Sequence, residues 1–268
     1  MRIKVLVDNN TKSTLQAEWG LSLCIEYEGR RILLDAGTTG IFADNAKALG
    51  IPVEKIELAV LSHAHYDHAD GFLRFFQENK NAKCYIRDCC GADCYDRKKD
   101  RYIGIKEGLL EAWADRFIRV QEDYELLPGV TLVPHKTEGL EKAGEKVGMY
   151  RYLDGVWTPD DFSHEQSLVL ETDKGLIICN SCCHGGADHI IEEVKQTFPG
   201  RRVYALVGGL HLYRASDEEV LALAGKIRET GMEKVYTGHC TGERAMELLK
   251  RELGDRAAEI YAGMELEF

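Results

Sequence analysis

Three histidines and a carboxylate crowd into one short run, His63-Ala-His65-Tyr-Asp67-His68. Neutral imidazole and carboxylate oxygen are ligands for zinc, iron(II) and manganese. Histidines two apart, His63 and His65, can share one cation, while Asp67 and His68 turn toward a second. The run follows an apolar stretch at 58–61 and precedes a segment with Phe72, Phe75 and Phe76 on one helical face. A strand-to-helix loop lets side chains converge with little competition from the backbone. With only 9 histidines in the 268-residue chain, three of them in one such loop point to a metal centre rather than to a solvated turn.

Elements must hold that loop in place, and two α/β stretches can be read. The first has strands at 3–7, 21–27 and 31–34, the last two joined by a Glu-Gly-Arg turn. A helix at 42–49, the strand 58–61, the phenylalanine helix and a strand at 84–87 follow. The second opens with a hairpin, 167–172 and 175–179, turned at Asp173-Lys174. Ile190, Val194 and Phe198 mark one helix face, and Val220, Ala224 and Ile227 mark another. Ala245, Leu248, Leu249 and Leu253 mark a last amphipathic helix. Strands at 204–207 and 235–237 separate these helices. Two sheets packed together with helices outside are predicted, an α/β (α+β) fold. Residues 91–163 are charged and lack a clean period; they read as an inserted cap on a single domain spanning 1–268.

Composition narrows the function classes. The chain is 44% hydrophobic and 29% charged with 5 prolines, which excludes a disordered or collagenous protein. No apolar run is long enough to span a bilayer. A formal charge of −11 argues against nucleic acid or an anionic membrane as partner and leaves a small-molecule substrate. The opening M-R-I-K-V-L-V-D reads as a charged strand start rather than a signal segment, so a cytoplasmic location is expected. Nine cysteines, an odd number, fit free or metal-associated thiols in a reducing compartment. The group Cys84, Cys89, Cys90 and Cys94 is too cramped for a structural zinc knuckle and reads as unpaired thiols.

H-x-H-x-D-H after a strand resembles the metallo-β-lactamase superfamily. Leu33-Leu34-Asp35-Ala36-Gly37 and Thr237-Gly238-His239 are similar to further family motifs, and the likeness spans the whole chain. The resemblance implies an αββα sandwich of two mixed β-sheets flanked by helices, with one or two divalent transition metals at the sheet edge. Zinc is the first expectation, iron or manganese the next. It implies His239 as a ligand and Asp35 as a partner that orients a ligand histidine. The set Asp8-Asn9-Asn10-Thr11, Cys182-Cys183-His184-Gly185-Gly186, Gly208-Gly209-Leu210-His211 and Gly238-His239-Cys240-Thr241-Gly242 resembles a narrower group of metal-dependent hydrolases. That group includes an enzyme that joins a dihydropterin to a ribofuranosylaminobenzene phosphate.

Two departures from the superfamily pattern stand out. The usual Gly-His-x-x-Gly histidine has no clear counterpart, and Cys182 stands where a bridging aspartate is usual. His184 is expected to supply the missing imidazole; His164, and then His135 and His189, are the other candidates. The implied arrangement places His63, His65 and His184 on one ion and Asp67, His68 and His239 on the other. Asp35, Asn9, Cys182 and His211 lie around them, with Cys182 expected to line the cleft as an outer contact and His211 to meet substrate. Asp67 is also the candidate proton acceptor. The expected function is a metal-dependent hydrolase that uses activated water on a small, phosphorylated or pterin-like substrate. A metal-assisted transferase, condensing a dihydropterin diphosphate with an arylamine ribose phosphate, is one alternative. A non-catalytic metal or ligand sensor is the other.

Overall fold

A computed structural model describes the chain from Met1 to Phe268. Two seven-stranded mixed sheets face each other. The first runs Glu265–Glu267, Arg2–Val7, Ser22–Tyr27, Arg30–Leu34, Leu58–Val60, Lys83–Arg87 and Phe117–Val120 across its width. The second runs Ala257–Glu259, Lys234–Thr237, Val203–Val207, Gly175–Cys179, Gln166–Thr172, Val130–Pro134 and Tyr124–Leu127. Side chains alternate between the two faces of each strand. Thus Ile32 and Leu34, or Ile177 and Cys179, point into the space between the sheets. Their neighbours Leu33 and Ile178 point outward, under the helices. Helices Ile41–Ala48 and Phe72–Glu78 cover the first sheet; Ala187–Thr197, Asp217–Glu229 and Glu243–Leu253 cover the second. This is the expected αββα sandwich. No helix is long and apolar enough to cross a membrane.

Strand direction places the chemistry. Arg30–Leu34, Leu58–Val60 and Lys83–Arg87 pair in parallel, as do Gly175–Cys179, Val203–Val207 and Lys234–Thr237. Parallel strands deliver all their C-terminal ends to one edge, so the loops bearing Asp35, His63, Cys182, His211 and His239 meet there. The metal loop is braced from below by close backbone approach. A Cβ on Gly71 would lie 2.0 Å from the Ala36 carbonyl oxygen, so only glycine lets the helix after the loop seat against the Asp35 turn.

The expected cap at 91–163 is split by the structure. Cys94–Asp96, Arg101–Tyr102, Met149–Leu153 and Val156–Pro159 form a small third sheet over the site. Between these pieces, Phe117–Val120 and Tyr124–Leu127 supply the outer strands of the two main sheets, and Val130–Pro134 lies just inside Tyr124–Leu127, paired on both sides. The two outer strands are half exposed and therefore carry mixed residues, which is why no clean period announced them. The small sheet reaches the metal loop directly: the Tyr66 amide donates to the Ile103 carbonyl, and His65 bridges to Gly104.

Asn45 ties the first strand to the loop that follows it. The strand bulges between Val5 and Val7. Asn45 Nδ2 donates to the Leu6 carbonyl at that bulge and to the Gln16 carbonyl, while its Oδ1 accepts from the Gln16 amide. Asn45→Ala would strand the buried Leu6 carbonyl and release the Gln16 backbone, and should cost about 1–3 kcal/mol, read as a lowered denaturant midpoint at unchanged slope.

Candidate metal centre

The Asp35 carboxylate organises the loop. It accepts from the Ser62 amide at 2.7 Å, the Ser62 hydroxyl at 2.6 Å and His68 Nδ1 at 2.8 Å. Because the hydroxyl spends its proton on Asp35, its lone pair accepts from His63 Nδ1 at 2.7 Å. One carboxylate therefore sets two tautomers, one directly and one through a serine, and both rings present a bare Nε2 to the site. Two more rings are set the same way. His239 Nδ1 donates to Asn9 Oδ1 at 2.9 Å, and the Asn9 amide is itself fixed by donating to the His239 carbonyl. His184 Nδ1 donates to Glu165 Oε1 at 3.2 Å.

The donor atoms that result are spaced as a metal requires. Zinc–ligand bonds of roughly 2.0–2.3 Å in a tetrahedron put neighbouring donors about 3.3–3.8 Å apart. His68 Nε2 lies 3.2 Å from His239 Nε2 and 3.3 Å from Cys182 Sγ. Asp67 Oδ2 lies 3.5 Å from His239 Nε2 and 3.8 Å from His68 Nε2. His63, Cys182 and His184 form a second group whose ligand atoms all fall within 4.8 Å of one another. The Nε2 atoms of His63 and His65 are buried without any hydrogen-bond partner, a costly state that a cation would relieve. The residues fit one or two transition-metal ions.

Charge in the site is arranged for such ions. Burial first, and then mutual repulsion among the imidazoles, holds His63 and His65 well below the ordinary histidine range, so both are neutral. Burial opposes ionisation of Asp67, yet His68 and His239 keep it a carboxylate. His239 is pushed up to about 9: burial works against its charge, but Cys240 and Asp67 outweigh it. A proton there occupies the gap between two facing Nε2 atoms and must leave when a metal enters. Burial also raises the Cys182 thiol, and Cys240 raises it further.

Most of the expected site residues meet at this edge, with three differences. Cys182, expected as an outer contact, has its Sγ at the junction of both donor groups, because the turn after Asn180 aims it inward. Cys183 turns away into the core under the helices. His65 keeps ring distances of 4.7 Å to His63 and 4.8 Å to His184, but its ligand atom groups with Cys94, Asp160 and His164. His164 itself is spent on structure: its Nδ1 accepts from the Ala64 amide, so its Nε2 carries the proton and faces Asp160 at 3.1 Å. His189 donates to the Gly185 carbonyl. Cys84, Cys90 and Cys94 pack in the apolar core.

Glu165, Ser62 and Cys240 were not singled out from sequence as parts of the site, and His135, a lesser candidate for the missing imidazole ligand, has both ring nitrogens taken by carboxylates instead. Glu165 accepts from the His184 amide and ring, from the Gly185 amide, and from His135 Nε2 at 2.5 Å. His135 Nδ1 in turn meets Glu193 at 2.9 Å. A ring with a carboxylate at each nitrogen is an imidazolium. Burial disfavours that charge, but Glu165 and Glu193 override it and push His135 up to about 10. The only sequence signal was a glutamate beside His164, in a segment with no other mark of function. Asp35, Cys183, His211 and His239 all take left-handed backbone angles, φ between 47° and 58°, at the rim of the site. Trp19, Tyr66, Arg101 and Tyr213 line the mouth of the cleft above the donor atoms.

The fold and this candidate donor set define an αββα protein of a metal-dependent class, and the chain belongs to the metallo-beta-lactamase superfamily, whose profile matches residues 20–140. It is 28% identical, over 96% of its length and 92% of the relative's, to a 7,8-dihydropterin-6-methyl-4-(beta-D-ribofuranosyl)-aminobenzene-5'-phosphate synthase of Methanocaldococcus jannaschii. An uncharacterized protein of the same organism is 30% identical over 93% of this chain and 94% of the relative. A solved structure described as a metal-dependent hydrolase of the beta-lactamase superfamily superposes with a TM-score of 0.88 at 30% identity, covering 100% of this chain and 99% of that one.

Two measurements test the hydrogen-bond scheme. Asp35→Asn removes the acceptor that sets two tautomers and should weaken metal affinity about 10–100-fold in a chelator competition. His135 binds its proton more tightly folded than at its ordinary 6.5. Its contribution to stability is therefore complete below pH 6.5 and lost as pH rises through about 10. Metal-free protein should lose denaturant resistance across that interval, and His135→Gln should flatten the profile there.

Proposed function

We propose that this chain is a metal-dependent hydrolase acting on a small substrate with an anionic group. The observation that carries the reading is the convergence of four tautomer-fixed imidazoles, the Asp67 carboxylate and the Cys182 thiol at one narrow cleft, which His184, His239, Asp67 and Cys182 line and behind which His63 and His68 are buried. His63, His184 and Cys182 would hold one ion, with His65 beside them; Asp67, His68, His239 and Cys182 would hold the other. Zinc is favoured by the mixed nitrogen and sulfur donors. Divalent ions there would act as Lewis acids and ionise water near neutral pH.

The chain's own residues do the rest. Asp67 is ionised and lines the cleft, so its carboxylate can take a proton from the attacking water. Arg101 stands over the Tyr66 ring at the mouth and offers a fixed positive charge to a phosphate or carboxylate. Trp19 and Tyr213, 5.9 Å apart edge to face, flank the opening beside His239 and suit a flat ring. The small third sheet roofs this opening with Asp96, Arg101 and Met149. A net charge of −11 supports a small-molecule substrate over nucleic acid or an anionic membrane.

A second reading, a transferase that joins a dihydropterin to an arylamine ribose phosphate, is favoured by the full-length similarity to the archaeal synthase. One assay separates the two. Zinc-loaded protein is given a dihydropterin diphosphate with and without the arylamine, beside a panel of phosphate esters and phosphodiesters. Hydrolysis without amine supports the hydrolase; a joined product that forms only with amine supports the transferase. His63→Ala and His68→Ala should each lower metal content by elemental analysis and cut turnover at least about 100-fold while circular dichroism stays native. Full occupancy and turnover in both variants would refute the ligand assignment.

A further inference from the structure

Beside the two donor groups assigned to the proposed ions lies a third, which shares Cys182 with them and adds Cys240 and His211, two side chains that the proposed reaction does not use. Cys240 Sγ is 3.4 Å from Cys182 Sγ. The ligand atoms of Cys182, Cys240 and His211 all lie within 4.8 Å of one another. His211 Nδ1 is buried and has no hydrogen-bond partner. Space for the Cys240 sulfur is created by a missing side chain: a Cβ on Gly209 would come within 2.5 Å of it and 2.8 Å of the Ser181 carbonyl oxygen. The strand-end glycine is thus required for the thiol to sit where it does.

We infer that Cys182, Cys240 and His211 form a thiophilic cation position of their own, adjoining the metal centre through the shared Cys182 and suited to zinc or copper(I). This rests on the metal-centre reading above and adds to it a position that holds metal by sulfur. Two thiols and an imidazole are the donors of a Cys2His zinc site and of soft copper(I) sites, and they exclude magnesium or calcium. Distance decides between the two uses that a close thiol pair can have. Two thiolates on one tetrahedral zinc, at roughly 2.3 Å each, stand about 3.7 Å apart, so the observed pair need open by only a few tenths of an ångström. A disulfide at about 2.05 Å would need the sulfurs to close by more than an ångström inside a packed turn. Each thiol that binds the cation gives up its proton to solvent, and His211 binds through Nδ1 with its proton on Nε2. The fourth direction is open to the cleft, since His211 and Cys240 both line it.

Cobalt(II) and zinc titrations of the metal-free full-length protein, kept reduced with a non-thiol reductant, test this. Wild-type protein should show a thiolate-to-cobalt charge-transfer band, chased by zinc. Cys240→Ser, nearly the same shape, should lose about half of that band and lower the bound equivalents. His211→Gln should weaken the same sulfur-linked component, whereas His63→Ala should spare it. A Cys240→Ser protein with an unchanged band and unchanged equivalents overturns this position while leaving the metal centre standing. Wild-type protein that binds neither ion overturns both.

Discussion

A single buried carboxylate carries the site. Asp35 is completely enclosed, and a charge removed from water is tolerable only when its lone pairs are matched by donors. Three donors do this, and each belongs to the metal loop: the Ser62 amide, the Ser62 hydroxyl and His68 Nδ1. The requirement works in both directions. The loop must pack against the end of strand Arg30–Leu34 to satisfy Asp35, and Asp35 must accept from the loop for His63 and His68 to present bare nitrogens. Folding of the first sheet and preparation of the ligands are one event.

The second sheet solves the same problem with different chemistry. Glu165 sits where His184 needs an acceptor, and its own charge is balanced by His135, which Glu193 balances in turn. Each side chain in this chain is enclosed and paired: one imidazolium stands between two carboxylates, and backbone amides and the Thr137 hydroxyl meet their remaining lone pairs. The two halves of the molecule thus bring rings of opposite origin to one place: Asp35 stands behind His68 and, through Ser62, His63; Glu165 stands behind His184; and the Asn9 amide holds His239. The sulfurs beside His68 and His211 come from the second half, through Cys182 and Cys240.

Strain and roofing complete the arrangement. Left-handed backbone at Asp35, His211 and His239 turns each chain sharply at its strand end, so the side chain points along the sheet edge rather than into either face. The small third sheet then closes over the loop by main-chain bonds at Tyr66 and His65. Arg101 and Tyr213 stand at the resulting mouth.

Local chemistry was legible in the residues themselves. The run His63–His68 declares a metal loop because ligand types and spacing are written in consecutive positions. The hairpin of Gln166–Thr172 with Gly175–Cys179, and the helix carrying Phe72, Phe75 and Phe76, follow from periods of two and 3.6 that any short window displays. Contacts between distant segments were not legible. Glu165 meets His184 across 19 residues and His135 across 30, and Cys240 meets Cys182 across 58. Nothing in the neighbours of these residues encodes the partner. Which way Cys182 points depends on the turn at Asn180, and the fate of His164 depends on an amide from Ala64, a hundred positions away. Tertiary packing decided those, because a side chain's role as ligand or prop is set by whichever hydrogen bond its other atom has already made.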